Sequence, residues 1–187
     1  MVSVLMAGSF ADNNVSVMKS VLFALAVAAM LAVPLAAQQP KRIDTPHLRI
    51  DTYATDPVVS PGSVFSLVFE ITPRPGIHVY APGKHKYKIV RVTLEPDRRL
   101  VVHPLEYPAS EIYEFVPLKE RVPVFQKPFR LAQRVEVSTA PEHRAVLAKT
   151  NRITIRGTLD YQACDDRLCY PPRSIPVSYS VRLRRPA

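Results

Sequence analysis

Residues 153–183 read ITIRGTLDYQACDDRLCYPPRSIPVSYSVRL, in which a short cysteine-bearing segment separates two runs of alternating apolar and polar side chains. The two runs cover residues 153–161 and 175–183. Successive side chains of a β-strand point to opposite faces, so each run predicts a strand with one face in a core and one in water. Two such strands joined by a short segment predict an antiparallel hairpin with the cysteines at its tip.

Other parts of the chain carry the same alternation and widen the prediction to the whole fold. Residues 64–71 alternate clearly, and weaker runs cover residues 47–53, 77–80, 87–94, 100–103 and 129–137. No window has the apolar spacing of an amphipathic helix. The 19 prolines also disfavour helices, because proline lacks an amide donor and clashes inside a helix. We therefore predict an all-β protein, an antiparallel β-sandwich.

The longest stretch without regular alternation covers residues 106–127 and contains Tyr107, Tyr113, Phe115 and Phe125. It is too apolar for a flexible linker. A long loop with aromatic residues of its own is often functional. Packing as an ordinary edge strand is the alternative.

The N-terminal part of the chain has the layout of a secretory signal peptide. Lys19 precedes an uncharged apolar run over residues 21–33, and the small residues Ala36 and Ala37 follow it. The run is shorter than the about 20 residues that a membrane-spanning helix needs. An uncleaved membrane anchor is the alternative.

We therefore expect three segments. A signal peptide covers residues 1–37, with the true start at Met18, a short linker covers residues 38–46, and one domain covers residues 47–187. Export takes the protein out of the cytoplasm, into a compartment where disulfides persist.

Charge and composition exclude several classes of function. The net charge is +9, but the basic residues are scattered rather than interleaved with aromatic side chains, which argues against a nucleic-acid partner. The chain has five glycines and no phosphate-binding pattern such as GxGxxG. It also lacks the HxxxH and CxxC spacings of metal sites. We expect no metal, no cofactor and no small-molecule substrate.

Cys164 and Cys169 are the only cysteines, and in an exported protein a disulfide between them is the first expectation. A structural bond in so short a loop contributes about 2 kcal/mol, which a domain of this size does not need. A bond at a hairpin tip is also open to attack by the thiolate of another protein. Asp165 and Asp166 should disfavour a thiolate here, and Arg167 should offset part of that effect. The residues alone leave a structural and a redox-active bond both open.

The dodecapeptide YQACDDRLCYPP, residues 161–172, resembles the cysteine motif of the N-terminal periplasmic domain of the thiol:disulfide interchange protein DsbD, which has the form YQ-x-C…CYPP. The resemblance extends more weakly to GIHVY at residues 76–80 and to the loop after Tyr107. One residue fewer separates the two cysteines here than in the best-known members of that family. The resemblance implies an immunoglobulin-like sandwich.

The resemblance also implies roles for individual residues. Cys164 and Cys169 would be the catalytic pair, with Cys169 entering mixed disulfides and Cys164 resolving them. An aromatic cap shields the sulfurs in this family, and Phe115 with Glu114 beside it is our candidate for the cap. The cysteine pocket would be completed by Tyr161, Tyr170, Asp165 and Asp166.

The activity implied is protein thiol–disulfide oxidoreduction, in which electrons pass between protein partners. The expected partners are periplasmic thioredoxin-like or disulfide-isomerase-like proteins. A separate membrane electron carrier is expected too, because the chain ends at Ala187 without the carrier and thioredoxin-like domains of full-length DsbD. We expect a monomer. The alternative function is a non-catalytic exported β-sandwich that binds other proteins and has a structural disulfide.

Overall fold

The computed structural model of the protein describes residues 40–115 and 119–184. Within these residues the strands, in chain order, are β1 (Lys41–Asp44), β2 (Leu48–Ala54), β3 (Val58–Val59), β4 (Val64–Pro73), β5 (His78–Tyr80), β6 (Arg91–Leu94), β7 (Leu100–Glu106), β8 (Glu111–Phe115), β9 (Glu120–Phe125), β10 (Phe129–Val137), β11 (Arg152–Tyr161), β12 (Ala163–Cys164) and β13 (Arg173–Leu183). One helix among the described residues, α1 (Pro141–Lys149), lies between β10 and β11 in the chain. The predicted signal peptide, residues 1–37, lies outside the described residues.

Two sheets enclose the main core. The first has the strand order β1-β2-β4-β10-β7 and the second the order β3-β13-β11-β6. Their pairs are antiparallel, except for the short parallel pair of β3 and β13. The inward side chains of both sheets form one apolar cluster, in which Phe69 of β4 meets Tyr179 of β13 edge to face with ring centroids 5.9 Å apart. The predicted immunoglobulin-like antiparallel sandwich is confirmed.

The hairpin predicted from alternation is also confirmed. β11 pairs with β13 from Arg152 opposite Arg182 to Tyr161 opposite Arg173. Along the C-terminal half of β13 every second side chain is buried, as the sequence pattern requires for a strand that covers a core with one face. The strands continue to the edge of the cysteine segment, which holds that segment at the hairpin tip.

A third, smaller sheet carries the far side of the cysteine region, in the order β12-β5-β9-β8. The chain enters β5 through a tight turn in which Gly76 has a φ of 76°, a left-handed conformation that glycine adopts without strain. Buried side chains of this sheet form an apolar cluster separate from the main core: Tyr80, Val122, Val124 and Cys164. One of the cysteines is thus a core residue of the third sheet.

The segment over residues 106–127 is more regular than its sequence indicates. It contains β8 and β9, which pair as a hairpin from Glu111 opposite Val124 to Phe115 opposite Glu120. Pro123 interrupts the pattern of β9 in sequence, because proline is rare inside strands. In the structure its carbonyl instead accepts a hydrogen bond from the amide of Ala81. We call β8 and β9 the cap hairpin.

The expectation that the chain has no helix is wrong for residues 141–149, which form α1. Only Leu147 of this helix is buried, so no apolar stripe appears in the sequence. The local signals are those of helix ends: proline at the start, Glu142 in the first turn and Lys149 in the last.

Two boundaries also differ from the sequence prediction. The predicted linker contains β1, which pairs with β2 and brings Arg42 within 2.9 Å of Asp51. The strand predicted over residues 87–94 begins only at Arg91. The residues before it form an irregular loop that reaches the cysteine region.

Candidate functional site

The cysteine segment bridges the second and third sheets. After Tyr161 the chain leaves β11 and forms β12, where Cys164 lies opposite His78 of β5. Cys164 and Cys169 are joined in a disulfide with their Cα atoms 4.0 Å apart. The predicted pairing at the hairpin tip is therefore present in the fold.

The two cysteines differ sharply in exposure. Cys164 is 1% exposed and packs in the apolar cluster of the third sheet. Cys169 is exposed. A thiolate of another protein can approach only a sulfur that faces solvent, so the asymmetry favours attack at Cys169.

The hydroxyl of Tyr80 touches both sulfurs. Its oxygen lies 3.3 Å from Cys164 Sγ and 3.4 Å from Cys169 Sγ. Disulfide sulfurs carry no hydrogen, so the tyrosine O–H is the donor. Burial, with help from the neighbouring Tyr87 and Glu120, raises the pKa of Tyr80 to about 12. The hydroxyl thus keeps its proton at neutral pH.

Aromatic rings fix the position of Tyr80. Tyr87 stacks on it with a centroid distance of 4.3 Å and an interplanar angle of 4°, and the Tyr87 hydroxyl donates to Glu120 of β9. His78 also makes an edge contact with Tyr80, with ring centroids 5.7 Å apart, and its ring centroid lies 4.4 Å from that of Tyr113. Burial lowers the pKa of His78, partly opposed by the two aspartates of the cysteine segment.

These groups surround a cavity of about 190 Å³ that reaches the disulfide. Rings make up much of its wall, together with both cysteines: His78, Tyr80, Tyr87, Tyr113, Phe115, Cys164 and Cys169. A partly open, mostly apolar cavity against a reactive bond can admit an aliphatic or aromatic side chain of a docking protein.

The structure separates the two predicted cap residues. Phe115 lines the cavity with the cysteines, as its candidate role as a cap requires. Glu114 points to the other face of β8, is exposed and pairs with Arg121 at 2.8 Å. Glu114 is not among the residues that line the cavity, so its role in the cap stays a prediction.

The two predicted aspartates also have different surroundings. One oxygen of Asp165 accepts the backbone N–H groups of Arg167 and Leu168 at 2.8 and 2.9 Å, and the other accepts the Tyr170 hydroxyl at 2.8 Å. These donors hold the pKa of Asp165 below its usual value. Asp166 is exposed and accepts a hydrogen bond from Tyr113 of the cap hairpin at 3.1 Å.

The two tyrosines of the YQ…CYPP motif lie behind the cysteine segment rather than in the cavity wall. Tyr161 is 1% exposed in the main core, and its hydroxyl donates to Thr45 at 3.1 Å. Tyr170 lies against buried His47 with ring centroids 4.3 Å apart. Both attach the segment to the sandwich through contacts outside the cavity wall.

Sequence reasoning did not assign Tyr80, Tyr87 or His78 to the site. His78 and Tyr80 lie in GIHVY, residues 76–80, where the resemblance to the DsbD domain is weak. A signal for Tyr87 exists in KHKYKI, residues 84–89, where exposed lysines alternate with half-buried His85, Tyr87 and Ile89. Alternation in a segment too irregular for a strand indicates one face packed on a neighbour. Nothing local shows that this neighbour carries the cysteines.

No cluster of three or more potential metal ligands occurs in residues 40–115 and 119–184. In the part of the chain that the structure describes, no helix is long and apolar enough to cross a membrane.

Comparison with known proteins identifies relatives of the domain. The family model described as "Thiol:disulfide interchange protein DsbD, N-terminal" matches residues 48–178. No curated protein matches the chain. Among solved structures, the N-terminal periplasmic domain of ScsB from Proteus mirabilis is 12% identical with a TM-score of 0.50, over 76% of this chain and 51% of that one. The chain thus spans about half of that ScsB domain, with which it shares the fold.

A second solved structure is the reduced form of the DsbD N-terminal domain from Neisseria meningitidis. It is 16% identical to this chain, with a TM-score of 0.40, and the match covers 83% of this chain and 97% of that one.

Proposed function

The chain belongs to the family of the N-terminal domain of thiol:disulfide interchange protein DsbD, and on this premise we propose that it is a periplasmic protein thiol–disulfide oxidoreductase that passes electrons between protein partners. The observation that carries the proposal is the contrast between exposed Cys169 and buried Cys164 in one disulfide beside an open cavity. A bond that only braced the fold would not need a cavity or a hydroxyl aimed at its sulfurs.

The proposed reaction begins at Cys169. A partner thiolate attacks Cys169 Sγ, the Cys164–Cys169 bond breaks, and its electron pair leaves on Cys164 Sγ as a thiolate that takes up a proton from water. A second partner thiol loses its proton and attacks the partner's own sulfur in the mixed disulfide, which releases Cys169 as a thiolate that also takes up a proton from water. The partner dithiol is thereby oxidised to a disulfide, and this chain gains two electrons and two protons. The reverse sequence passes them to the next protein.

Tyr80 acts on the leaving sulfur. Its O–H lies within 3.3 Å of Cys164 Sγ before attack, so the donor is in place when negative charge develops on that atom. The raised pKa of Tyr80, about 12, keeps the hydroxyl a donor rather than an anion beside the new thiolate. Hydrogen bonds to a charged acceptor contribute about 1.5–3 kcal/mol, which lowers the barrier to opening the disulfide.

The proposed partners follow from the family and the cavity. Thioredoxin-like proteins are the partner class of the family, and here we propose thioredoxin-like or disulfide-isomerase-like proteins of the periplasm together with a separate membrane electron carrier. The exposed side chain of Leu168, next to Cys169, and the ring of Phe115 offer apolar contacts to such a partner. The chain is proposed to act as a monomer.

A trapping experiment tests the proposal. Cys164→Ala leaves Cys169 with no resolving thiol, so a mixed disulfide formed with a partner persists. We expect the full-length Cys164→Ala protein, expressed in its own periplasm, to give adducts that a reducing agent dissociates and mass spectrometry identifies as redox proteins. Cys169→Ala is the matched control, because it keeps one thiol but buries it, and we expect few or no adducts.

Redox potential provides the opposing outcome. A structural disulfide has a potential below about −300 mV, whereas a carrier equilibrates with other disulfide proteins. A potential that low, together with no adducts from Cys164→Ala, would replace the oxidoreductase with a non-catalytic binding module.

A further inference from the structure

The six-residue cysteine loop, residues 164–169, is held by hydrogen bonds that do not involve its sulfurs. We infer that Asp165 is a positioning residue for exchange, because its carboxylate keeps the loop closed when the disulfide is open. The inference rests on the proposed function and adds to it a residue whose hydrogen bonds go to the loop and to Tyr170 rather than to the sulfurs.

The carboxylate of Asp165 ties three donors to one point. Oδ1 accepts the N–H groups of Arg167 and Leu168 at 2.8 and 2.9 Å, and Oδ2 accepts the Tyr170 hydroxyl at 2.8 Å. The main chain adds a bond from the N–H of Asp165 to the carbonyl of Leu168 at 3.0 Å. An aspartate that satisfies the amides one turn ahead is a common device for stabilising a tight turn. None of these bonds needs the S–S bond in order to form.

The loop is also attached to the sandwich behind it. The N–H of Tyr170 donates to the carbonyl of Ala163 at 2.8 Å, which joins the two sides of the loop at its base. The Tyr170 ring lies against His47, a buried residue in the segment that connects β1 to β2. Asp165, by holding the Tyr170 hydroxyl, connects the tip of the loop to this anchored base.

The consequence concerns the reduced protein and the mixed disulfide. After Cys169 has bonded to a partner, resolution requires the Cys164 thiolate to find Cys169 Sγ again. A loop that stays closed keeps the two sulfurs near each other, and such orientation can raise the effective concentration of one reacting group about the other by many orders of magnitude. A loop without Asp165 would spread the cysteine backbones apart and lose part of this advantage.

Asp166 provides the comparison that separates position from charge. It carries the same charge one residue further along, it is exposed, and its carboxylate accepts only the Tyr113 hydroxyl among the side chains and amides that the structure describes. Removal of Asp166 therefore removes a negative charge near the sulfurs while the bonds of the loop remain. If charge alone mattered, the two substitutions would have similar effects.

The test measures the thiol–disulfide equilibrium of the full-length protein with glutathione. Wild type, Asp165→Ala, Asp165→Asn and Asp166→Ala are equilibrated across a range of glutathione ratios, and the oxidised fraction is read by thiol alkylation and mass spectrometry. We expect Asp165→Ala to lower the equilibrium constant for disulfide formation about tenfold, equivalent to a potential higher by about 30 mV. Asp165→Asn should recover most of the loss, because its amide oxygen can accept the same two N–H groups. Asp166→Ala should change the constant by no more than about twofold.

The outcomes are distinguishable from failure of the proposed function. Adducts formed by the Cys164→Ala protein support thiol–disulfide exchange, whatever the Asp165 variants show. Equal constants for Asp165→Ala and Asp166→Ala, or for Asp165→Ala and wild type, would overturn the positioning role alone. If Asp165→Ala does not fold, Tyr170→Phe decides, because it removes one bond to Asp165 and keeps the ring on His47. We expect a change of about twofold to threefold in the same direction, and no change would overturn the inference.

Discussion

Two groups of aromatic residues contact the cysteine segment: one lies outside the cavity wall, which we call the rear face, and the other lines the cavity, which we call the front face. Behind the segment, Tyr161 and Tyr170 belong to the cysteine motif itself, lie outside the cavity wall and attach the segment to the sandwich. In front, Tyr80 and Tyr113 come from distant strands, line the cavity and contact the sulfurs or the loop. The tyrosines of the motif therefore contact the sandwich, and the rings that line the cavity at the disulfide come from other parts of the fold.

The largest effect should follow from breaking the rear face. Tyr161 is among the largest fully buried side chains, and truncation of such a ring to alanine costs about 3–5 kcal/mol. We expect Tyr161→Ala to lower the free energy of unfolding by that amount in denaturant titrations. Tyr161→Phe keeps the ring, loses the bond to Thr45 and should cost about 1 kcal/mol. A loss below 1 kcal/mol for Tyr161→Ala would show that the rear face is not a structural support.

The same contrast explains how much the sequence could predict. Alternation identified β4, β10, β11 and β13 because each of these strands has one face on the core, and the disulfide followed from its place between two strands. Tyr161 and Tyr170 were assigned to the cysteine pocket because they adjoin the cysteines in sequence, and the structure places them outside the cavity wall.

The front of the site could not be found in this way, because contacts between distant segments leave no local pattern. Tyr80 lies more than eighty positions before the cysteines, and although alternation predicts a strand over residues 77–80, nothing in that short run shows that it meets the cysteines. The helix α1 was missed for the opposite reason, since it lies mostly on the surface and has no apolar stripe.

The front face should respond most to loss of the Tyr80 hydroxyl. We expect Tyr80→Phe to slow reduction of the disulfide about tenfold, because the leaving thiolate on Cys164 loses its donor. The thiol pKa of Cys164 in the reduced protein should rise for the same reason. Stopped-flow reduction by a small dithiol and the pH dependence of alkylation measure the two quantities.

Tyr161→Phe, its counterpart on the rear face, is the matched control and should leave the reduction rate within about twofold of wild type. Equal rates for Tyr80→Phe and wild type would contradict the role of the front hydroxyl.

A smaller effect should appear in the pH dependence of stability, to which each face contributes one histidine. Burial lowers the pKa of His47 behind the segment and of His78 in front of it, from an ordinary value of 6.5. Below pH 6.5 the unfolded chain binds protons at these positions and the folded chain resists them, so stability falls as pH falls. We expect the free energy of unfolding to fall between pH 7.5 and 5.5.

The faces differ in what surrounds each histidine. Arg173 adds to the shift of His47, whereas Asp165 and Asp166 oppose that of His78. Denaturant titrations of His47→Gln and His78→Gln across this pH range should each show a shallower dependence than wild type. An unchanged slope in both variants would mean that other groups govern acid stability.

The smallest effect should separate docking from chemistry at the front face. Leu168 is 52% exposed beside Cys169, although leucine is usually buried. An apolar side chain next to the attacked sulfur adds binding free energy when a protein partner covers it. It adds none when the attacking group is a small thiol that leaves it exposed. We expect Leu168→Ser to reduce the reaction rate with a protein partner about threefold and to leave reduction by a small dithiol unchanged. Val146 on α1 is equally exposed, at 52%, and does not line the cavity, so Val146→Ser should change neither rate. If Leu168→Ser slowed both reactions, the side chain would instead stabilise the conformation of the cysteine loop, a structural role like that of the residues on the rear face.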